Sequence, residues 1–166
     1  HINSLSRIAK EQFMNLDATA VRNLELIKNM RDGSKRGTLL DVLDFTSTSM
    51  GARKLRNWIE CPLLDLSQIR SRQEAVGELL TNVQMRGNLQ DKLKAIFDLE
   101  RIVSRIEVGS ANARDLVSLR SSLAVLPEIK SLLRYCNSKL LQQLCEDVHL
   151  HQELFTTLLA AIVDEP

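Results

Sequence analysis

Aromatic residues are scarce in this sequence of 166 residues: Phe, Trp and Tyr make up 4% of it, whereas apolar residues together make up 44%. The interior must therefore be filled by Leu, Ile, Val and Ala, a mixture that helix-on-helix packing uses readily. A chain of this length is typical of one domain and can bury roughly 70% of its extended-chain surface on folding. Composition alone therefore favours an all-helical domain.

Cysteine is also rare, with Cys61, Cys136 and Cys145 as its three occurrences. Their odd number and the absence of C-x-x-C spacing argue against a disulfide framework and against a zinc knuckle. We expect buried free thiols in a reducing compartment.

Neither sign of charge is in excess, because 22 basic residues face 21 acidic ones and the formal net charge is +1. No global field draws in a polyanion, so any contact with DNA is expected to be local. The sequence has no secretory signal and no apolar run near the ~20 residues that span a bilayer, so we expect a cytoplasmic protein without a membrane partner. A start at His1 and a stop at Pro166 after an apolar segment indicate a piece of a longer protein.

Motifs for catalysis and cofactor binding are missing as well. The sequence has no G-x-x-x-x-G-K-[ST] loop to hold phosphate and no G-x-S-x-G elbow to present a nucleophile. His149 and His151 are two residues apart, which on a helix points them about 200° from each other and away from a shared metal. We therefore expect no catalytic residue, no bound cofactor and no metal ion in this segment.

Helix caps and apolar spacing predict an irregular multi-helix bundle with long helices. Residues 2–16 are short and mixed, and we favour a short strand pair there over a fraying helix. Asp17 is predicted to cap a helix that stops near Asp32-Gly33. Residues 32–37 are the expected exposed loop.

Further capping and helix-breaking residues predict the helices that follow. Thr38 or Asp41 opens a short turn, and Thr46 or Thr48 caps a helix that ends before Pro62. Later caps and breaks are predicted at Gly109 as a stop, at Asn112 as a cap, and at Pro127 as a kink or short break before another helix.

Two apolar seams with alternating spacings of three and four residues predict helices that pack lengthwise on other helices. The first seam predicts one helix, and the second predicts one long helix or two helices. In order, the members are Leu66, Ile69, Gln73, Val76 and Leu80 in the first seam, and Leu141, Leu144, Val148, His151, Phe155, Leu158 and Ile162 in the second.

A group of charged residues follows the middle of the chain. Asp98 and Arg101 are three residues apart, and Arg101 and Arg105 share one helical face. One interpretation is a solvated ladder of charges. The other is an ion-pair network that fixes how two helices meet, because Arg holds carboxylates bidentately. Glu100 and the pair Arg114-Asp115 are candidates for the same network.

A basic cluster of Arg53, Lys54 and Arg56 stands beside Trp58. A single aromatic residue does not make a stacking platform for bases, so we expect Trp58 to pack in the core. The three cations, or a loop such as Lys35-Arg36, are weak candidates for contacts with the duplex backbone.

Three stretches follow a known pattern in order: FMNLDATAVRNLEL at 13–26, TLLDVLDFTSTSMGARKLRNWIECPLLDLSQIRSRQEAV at 38–76, and DLERIVSRIEVGSANARDLVSLRSSLAVLP at 98–127. Together they resemble the helical core of MutS mismatch-repair proteins. The chain departs from that pattern at Ala20, where the family has threonine, and at Ala113, where it often has proline.

The resemblance singles out candidate structural or interdomain residues. They are Asp17, Asn23, Glu25, Asp44, Thr48, Gly51, Arg53, Asp98, Glu100, Arg101, Arg105, Arg114 and Asp115.

By this resemblance, residues 1–16 would end a connector, and residues 17–166 would be the first half of the helical core, or lever, before an inserted clamp. The longer protein would bind mismatched double-stranded DNA as a homodimer and recruit downstream repair proteins in the bacterial cytoplasm, at the nucleoid. It would be a DNA-dependent ATPase that uses ATP and Mg bound outside this segment.

The segment itself would transmit force between the other domains, without catalysis of its own. One alternative is a generic helical scaffold or protein-interaction bundle, and another is the core of a MutS paralogue outside mismatch repair. The lever hypothesis predicts that altering Asp98, Glu100 or Arg101 in the full protein uncouples ATP binding from DNA release.

Overall fold

The computed structural model describes residues 12–163, and this part of the chain is all-α, as the composition predicts. It divides into two compact units: the first comprises residues 12–45 and 52–70, and the second comprises residues 46–51 and 71–163. The helices are α1 Ala18–Asn23, α2 Leu39–Leu43, α3 Ser49–Glu60, α4 Leu66–Thr81, α5 Val83–Lys94, α6 Leu99–Glu107, α7 Ala113–Leu133, α8 Lys139–Asp147 and α9 Gln152–Ala161.

The strand pair predicted for residues 2–16 falls mostly on residues outside the described range. Residues 12–16 contain no strand. Phe13 forms an isolated antiparallel bridge with Leu63. The Met14 N–H donates to the Pro62 carbonyl at 2.8 Å, and the Leu64 N–H donates to the Gln12 carbonyl at 3.0 Å.

Helix α1 starts where its cap predicts and ends earlier than predicted. The Asp17 carboxylate accepts from the Ala20 N–H at 2.6 Å. The predicted stop near residues 32–33 is wrong, because α1 ends at Asn23 and Glu25 has a left-handed backbone with φ 47°. The Glu25 carboxylate accepts from the Met30 N–H at 2.6 Å, so a side chain takes a backbone donor that a helix would use.

One side chain, that of Asn29, organises the loop predicted at residues 32–37. Its carboxamide oxygen accepts from the N–H groups of Asp32 and Gly33 at 2.9 and 3.2 Å. Its NH₂ group donates to the Ser34 hydroxyl and to the Arg36 carbonyl, both at 3.0 Å. The loop is therefore exposed, as predicted, and held in one conformation by a residue that precedes it.

Local caps also define α2 and α3. Thr38, 1% exposed, accepts from the Asp41 N–H at 3.1 Å and donates to the Lys35 carbonyl at 2.7 Å. Thr48 accepts from the Gly51 N–H at 2.9 Å at the start of α3. Both threonine caps are confirmed. One apolar cluster of the first unit consists of the buried residues Leu26, Leu40 and Ile59, with Leu16, Val21, Ile27 and Leu55 packed against it.

The second unit is built around α7, which packs against α5, α6, α8 and α9. Asn112 caps α7 as predicted, and it does so in a reciprocal capping box with Asp115. Two apolar clusters include residues of α7. One contains Ala75, Met85, Ile129, Leu133, Cys136 and Leu141. The other contains Ile102, Leu119, Leu123 and Leu158.

Of the kink or short break predicted at Pro127, the break is wrong, because α7 continues through this residue to Leu133. Proline inside a helix costs roughly 3 kcal/mol. Here Pro127 faces solvent, while Leu126 on one side and Ile129 on the other belong to the two apolar clusters. The packing of apolar side chains on both sides of Pro127 outweighs the local cost of a proline inside the helix.

The prediction that the first apolar seam is a buried face of a helix is also wrong. Leu66, Val76 and Leu80 of α4 are 66%, 64% and 65% exposed. Ala75 is buried instead, and Leu79 packs partly against the same cluster. The buried face of α4 is therefore one that the 3–4 spacing does not mark.

The second seam forms two helices, α8 and α9, which was one of the two predicted outcomes. They are separated at residues 148–151, where His151 has a left-handed backbone with φ 46°. Leu141 and Leu158 are buried, whereas His151 is exposed. Within residues 12–163, no helix is long and apolar enough to cross a membrane.

All three cysteines are free thiols, as predicted, but the burial predicted for them holds only for Cys136. Cys136 is buried, and Cys61 and Cys145 are half-buried. Burial raises the pKa of the Cys136 thiol.

Candidate functional site

The N-terminus of α7 is joined to α6 by an ion pair. The Asp115 carboxylate, in a residue only 8% exposed, accepts from the Asn112 N–H at 3.1 Å, while the Asn112 side chain accepts from the Asp115 N–H at 3.0 Å. The other carboxylate oxygen of Asp115 accepts from the Arg105 guanidinium. The Asp115 carboxylate thus takes part in the cap of α7 with one oxygen and binds Arg105 of α6 with the other.

The middle of α7 is joined to the segment between α5 and α6. Ser122 is fully buried, and its hydroxyl donates to the Ser118 carbonyl at 2.8 Å. The same hydroxyl accepts from the Phe97 N–H at 3.0 Å. A backbone donor shielded from water would be costly without a partner, so this hydrogen bond ties the segment between α5 and α6 to α7.

Two basic side chains of α7 reach the segments that follow α8 and α9. The buried Arg120 guanidinium donates to the Ile162 carbonyl at 2.7 Å, just after α9. The Lys130 ammonium donates to the Val148 carbonyl at 2.7 Å, just after α8. Charged donors satisfy carbonyls that the helix ends leave without an intrahelical partner.

A fifth attachment joins α4 to the start of α8. One oxygen of the Glu78 carboxylate accepts from the Asn137 N–H at 2.6 Å, and the other accepts from the Ser138 N–H at 2.7 Å. These two backbone hydrogen bonds lower the pKa of Glu78. The Ser138 hydroxyl itself is buried and has no hydrogen-bond partner, so Glu78 replaces it as the cap of α8.

We expect Glu78→Gln to lower the free energy of unfolding by about 1 kcal/mol at pH 7, since an amide accepts through one oxygen and carries no charge. A lowered pKa in the folded state means that the unfolded chain binds more protons, so this contribution is present above the ordinary value of 4.5 and is lost as the pH falls through the folded pKa. Denaturant titrations of both proteins between pH 7 and acid pH measure the difference.

The two stability curves should converge at acid pH. A constant gap between them would show that Glu78 acts through packing rather than charge. Glu146→Gln, an exposed change on α8, is the matched control and should leave stability at pH 7 unchanged.

The remaining predicted residues around α6 lie near its start. The Asp98 carboxylate caps α6 by accepting from the Arg101 N–H at 3.3 Å, and it lies 3.8 Å from the Arg101 guanidinium. Glu100 is in the first turn of α6. Arg114 is exposed at the second position of α7. Asp98 and Arg101 contact each other at the start of α6, and Arg105 and Asp115 connect α6 to α7.

The other predicted residues serve the local structure at α1, α2 and α3. In the first unit, Asp17 caps α1, Asn23 is its last residue, and Asp44 pairs with Lys35 at 2.5 Å. In the second unit, Gly51 follows Thr48, and a Cβ on Gly51 would lie 3.0 Å from the Thr48 hydroxyl. Any larger residue at position 51 would therefore crowd the cap of α3.

The basic candidates for DNA contacts are on α3. Arg53 and Lys54 are exposed, and the Arg56 guanidinium pairs with Glu60 at 3.4 Å. Trp58 is 38% exposed, and the core position predicted for it is taken by the neighbouring Ile59, which is 9% exposed.

Sequence reasoning missed Ser122, Arg120, Lys130 and Glu78. Their partners lie 25, 42, 18 and about 60 residues away along the chain. One signal was available: Leu116, Leu119, Leu123 and Leu126 form an apolar stripe along α7. Arg120 and Ser122 are polar residues beside this stripe, and polar residues that become buried need partners.

A model of the MutS domain III family matches residues 19–166. The chain belongs to the MutS domain III family. It is similar to the DNA mismatch repair protein MutS of Symbiobacterium thermophilum (45% identity), Exiguobacterium sp. (42%) and Pelotomaculum thermopropionicum (46%), in each case over 100% of this chain. The chain spans about a fifth of the length of these relatives, 19%, 20% and 19% respectively.

Membership in MutS domain III decides between the competing interpretations of the sequence. A generic helical scaffold would share only architecture, whereas this chain matches MutS proteins along its whole length. The relatives named above are called mismatch repair proteins, so the mismatch-repair interpretation holds over the paralogue alternative.

The resemblance implies ATP and Mg for the longer protein and no cofactor for this segment, and this stays a prediction. Among residues 12–163, no group of three or more His, Cys, Asp or Glu side chains could hold a metal ion. The sequence also lacks a glycine-rich phosphate loop. No step of the function proposed below passes through a nucleotide bound to these residues.

Proposed function

We propose that this segment is a mechanical element of a MutS-type mismatch repair protein, coupling the binding of mismatched double-stranded DNA to an ATPase domain outside the chain. The homodimer, the downstream repair partners and the association with the nucleoid belong to this proposal for the longer protein. The segment contributes stiffness and fixed helix geometry, and it carries out no chemistry.

One observation carries the proposal: α7 is a continuous helix of 21 residues, about 32 Å long at 1.5 Å per residue, with other helices packed along it. Close-packed side chains resist compression, so a displacement at one end of such a helix moves the other end. The attachments at Asp115, Ser122, Arg120 and Lys130 distribute that displacement to the neighbouring segments.

The ion pair of Arg105 and Asp115 is the part of the predicted network that we assign to coupling. It connects α6 to the first turn of α7. In the proposed mechanism, this pair makes α6 and α7 move as one body. Asp98, Glu100 and Arg101 would contribute by holding the start of α6.

The test is to make α7 more flexible by substitutions at exposed positions, so that its packed faces are unchanged. In a full-length MutS protein that carries this segment, Ala124→Gly with Ser131→Gly replaces two exposed residues of α7. Each glycine weakens the helix by roughly 1 kcal/mol. We expect mismatch binding without nucleotide and basal ATP hydrolysis to persist, and the stimulation of hydrolysis by mismatched DNA to fall at least about 5-fold, within the usual range of coupling energies.

The matched control places two glycines at exposed positions of α5, Gln84→Gly with Gln90→Gly. It should lose similar stability and keep the stimulation by DNA. Equal loss of stimulation in both variants would show that stability, and not the stiffness of α7, supports coupling.

A second candidate function, direct contact with the duplex backbone, is favoured by the exposed Arg53 and Lys54. Because Glu60 partly neutralises Arg56, we expect weak binding of matched and mismatched duplexes at ~50 mM salt and none at ~200 mM salt. Fluorescence anisotropy of the 166-residue chain measures this binding. Arg53→Gln with Lys54→Gln should abolish it, and binding that persists at both salt concentrations would make the segment a DNA-binding domain in its own right.

A further inference from the structure

A cleft of about 690 Å³ opens on the first unit, between the start of α1, residues 27–33 and the end of α3. Its walls are mostly apolar, with Leu16, Val21, Ile27 and Met30 among them. This volume lies in the range of ligand-binding pockets, which combine apolar walls with a few polar groups.

A second depression of about 530 Å³ adjoins the cleft and shares Leu16, Glu60 and Cys61 with it. Phe13 and Met14 provide its apolar wall. All the lining residues of both belong to the first unit. We call the two together the α1–α3 groove. Two adjoining apolar compartments suit two side chains of one peptide better than they suit a single compact molecule.

The charges along the α1–α3 groove are unequal. Arg22 and Lys28 line it as exposed cations, and among the described residues that line it Glu60 is the one carboxylate. The Arg56 guanidinium lies 3.4 Å from Glu60 and offsets that negative charge. The groove therefore complements an apolar ligand that carries negative charge.

We propose that the α1–α3 groove is a docking site for an acidic peptide segment of a partner protein. Two apolar side chains of the peptide enter the two compartments, and a carboxylate beside them contacts Arg22 and Lys28. The segment at residues 1–11 of this chain is a poorer match, because it contributes Arg7 and Lys10 against the single acid Glu11.

The experiment uses the ¹⁵N-labelled 166-residue chain and a blocked tetrapeptide of two leucines followed by aspartate and glutamate. Its matched control has asparagine and glutamine in place of the two acids. Two-dimensional amide NMR spectra report binding at each residue. We expect shifts confined to residues 13–33 and 57–61, and at least about 5-fold weaker binding of the uncharged peptide.

Two variants test the two halves of the proposal. Arg22→Gln with Lys28→Gln should make both peptides bind equally weakly, whereas Arg70→Gln with Lys139→Gln, two exposed cations outside the groove, should change nothing. Ala18→Trp fills the groove from an exposed position and should abolish binding, whereas Ala124→Trp on α7 should not.

Cys61 provides an independent measurement, because its half-buried thiol lines both compartments. The acidic peptide should slow its alkylation by N-ethylmaleimide at least about 2-fold, while Cys145, half-buried in the second unit, reacts at an unchanged rate. Mass spectrometry of the tryptic fragments distinguishes the two cysteines.

Three outcomes would overturn the proposal. The first is the absence of shifts at millimolar acidic peptide, and the second is a spread of shifts over both units. The third is binding that occurs only after residues 1–11 are deleted, which would make the chain's own N-terminal segment the occupant.

Discussion

Leu123→Ala is expected to lower the free energy of unfolding by about 3 kcal/mol, the largest effect of any single change considered for this chain. Leu123 is 5% exposed and lies in the cluster of Ile102, Leu119 and Leu158. These residues come from α6, α7 and α9, so the cavity left by alanine would lie where three helices meet. Denaturant unfolding followed by circular dichroism measures the loss.

The matched control is Leu159→Ala, which makes the same change at a residue that is 55% exposed on α9. It should cost less than about 1 kcal/mol, because most of the side chain is already in water. Similar losses from the two changes would contradict the packing of α7 described above, since burial is what distinguishes them.

Asp115→Ala is expected to lower the free energy of unfolding by about 2 kcal/mol. The change removes one half of the capping box and the partner of Arg105, and it leaves the Asn112 N–H without its acceptor. The side chain of Arg105 is 48% exposed, so water screens the ion pair and the cap provides the larger share. Thermal and denaturant unfolding both report the loss.

Two further variants separate the contributions at Asp115. Asp115→Asn keeps an oxygen for the Asn112 N–H and loses the charge, so it should show a smaller loss than alanine. Asp91→Ala removes an exposed carboxylate paired with Lys94 and should have no measurable effect. If asparagine and alanine at position 115 were equally destabilising, the charge on Asp115 would matter more than its cap.

These stability losses also bear on the proposed lever. A destabilised α7 would weaken every activity of the longer protein together, whereas loss of stiffness alone would weaken the coupling between activities. The paired glycine variants of α7 and α5 are therefore the decisive test of function. The Leu123 and Asp115 variants test the packing on which that function depends.

Several helix starts could be predicted from the sequence because the cap and its partner are close along the chain. Asp17, Thr38, Thr48 and Asn112 each accept from an N–H three residues further on. An interaction of this kind depends on a few neighbouring residues and not on the rest of the fold. The end of α1 was missed although its contacts are also local. Glu25 and Asn29 bond within a loop whose residues follow no simple pattern.

The sequence by itself determined the helical class, the capped starts of the helices, the apolar stripe of α7 and, through its resemblance, the MutS family. Only the tertiary structure decided which face of α4 is buried, that α7 continues through Pro127, and that Glu78 caps a helix about 60 residues away. The physical reason is that burial and long-range hydrogen bonds depend on which surfaces meet. Composition and spacing describe each helix alone, and they are compatible with the burial of several different faces of one helix. Packing against the neighbouring helices decides which face is buried.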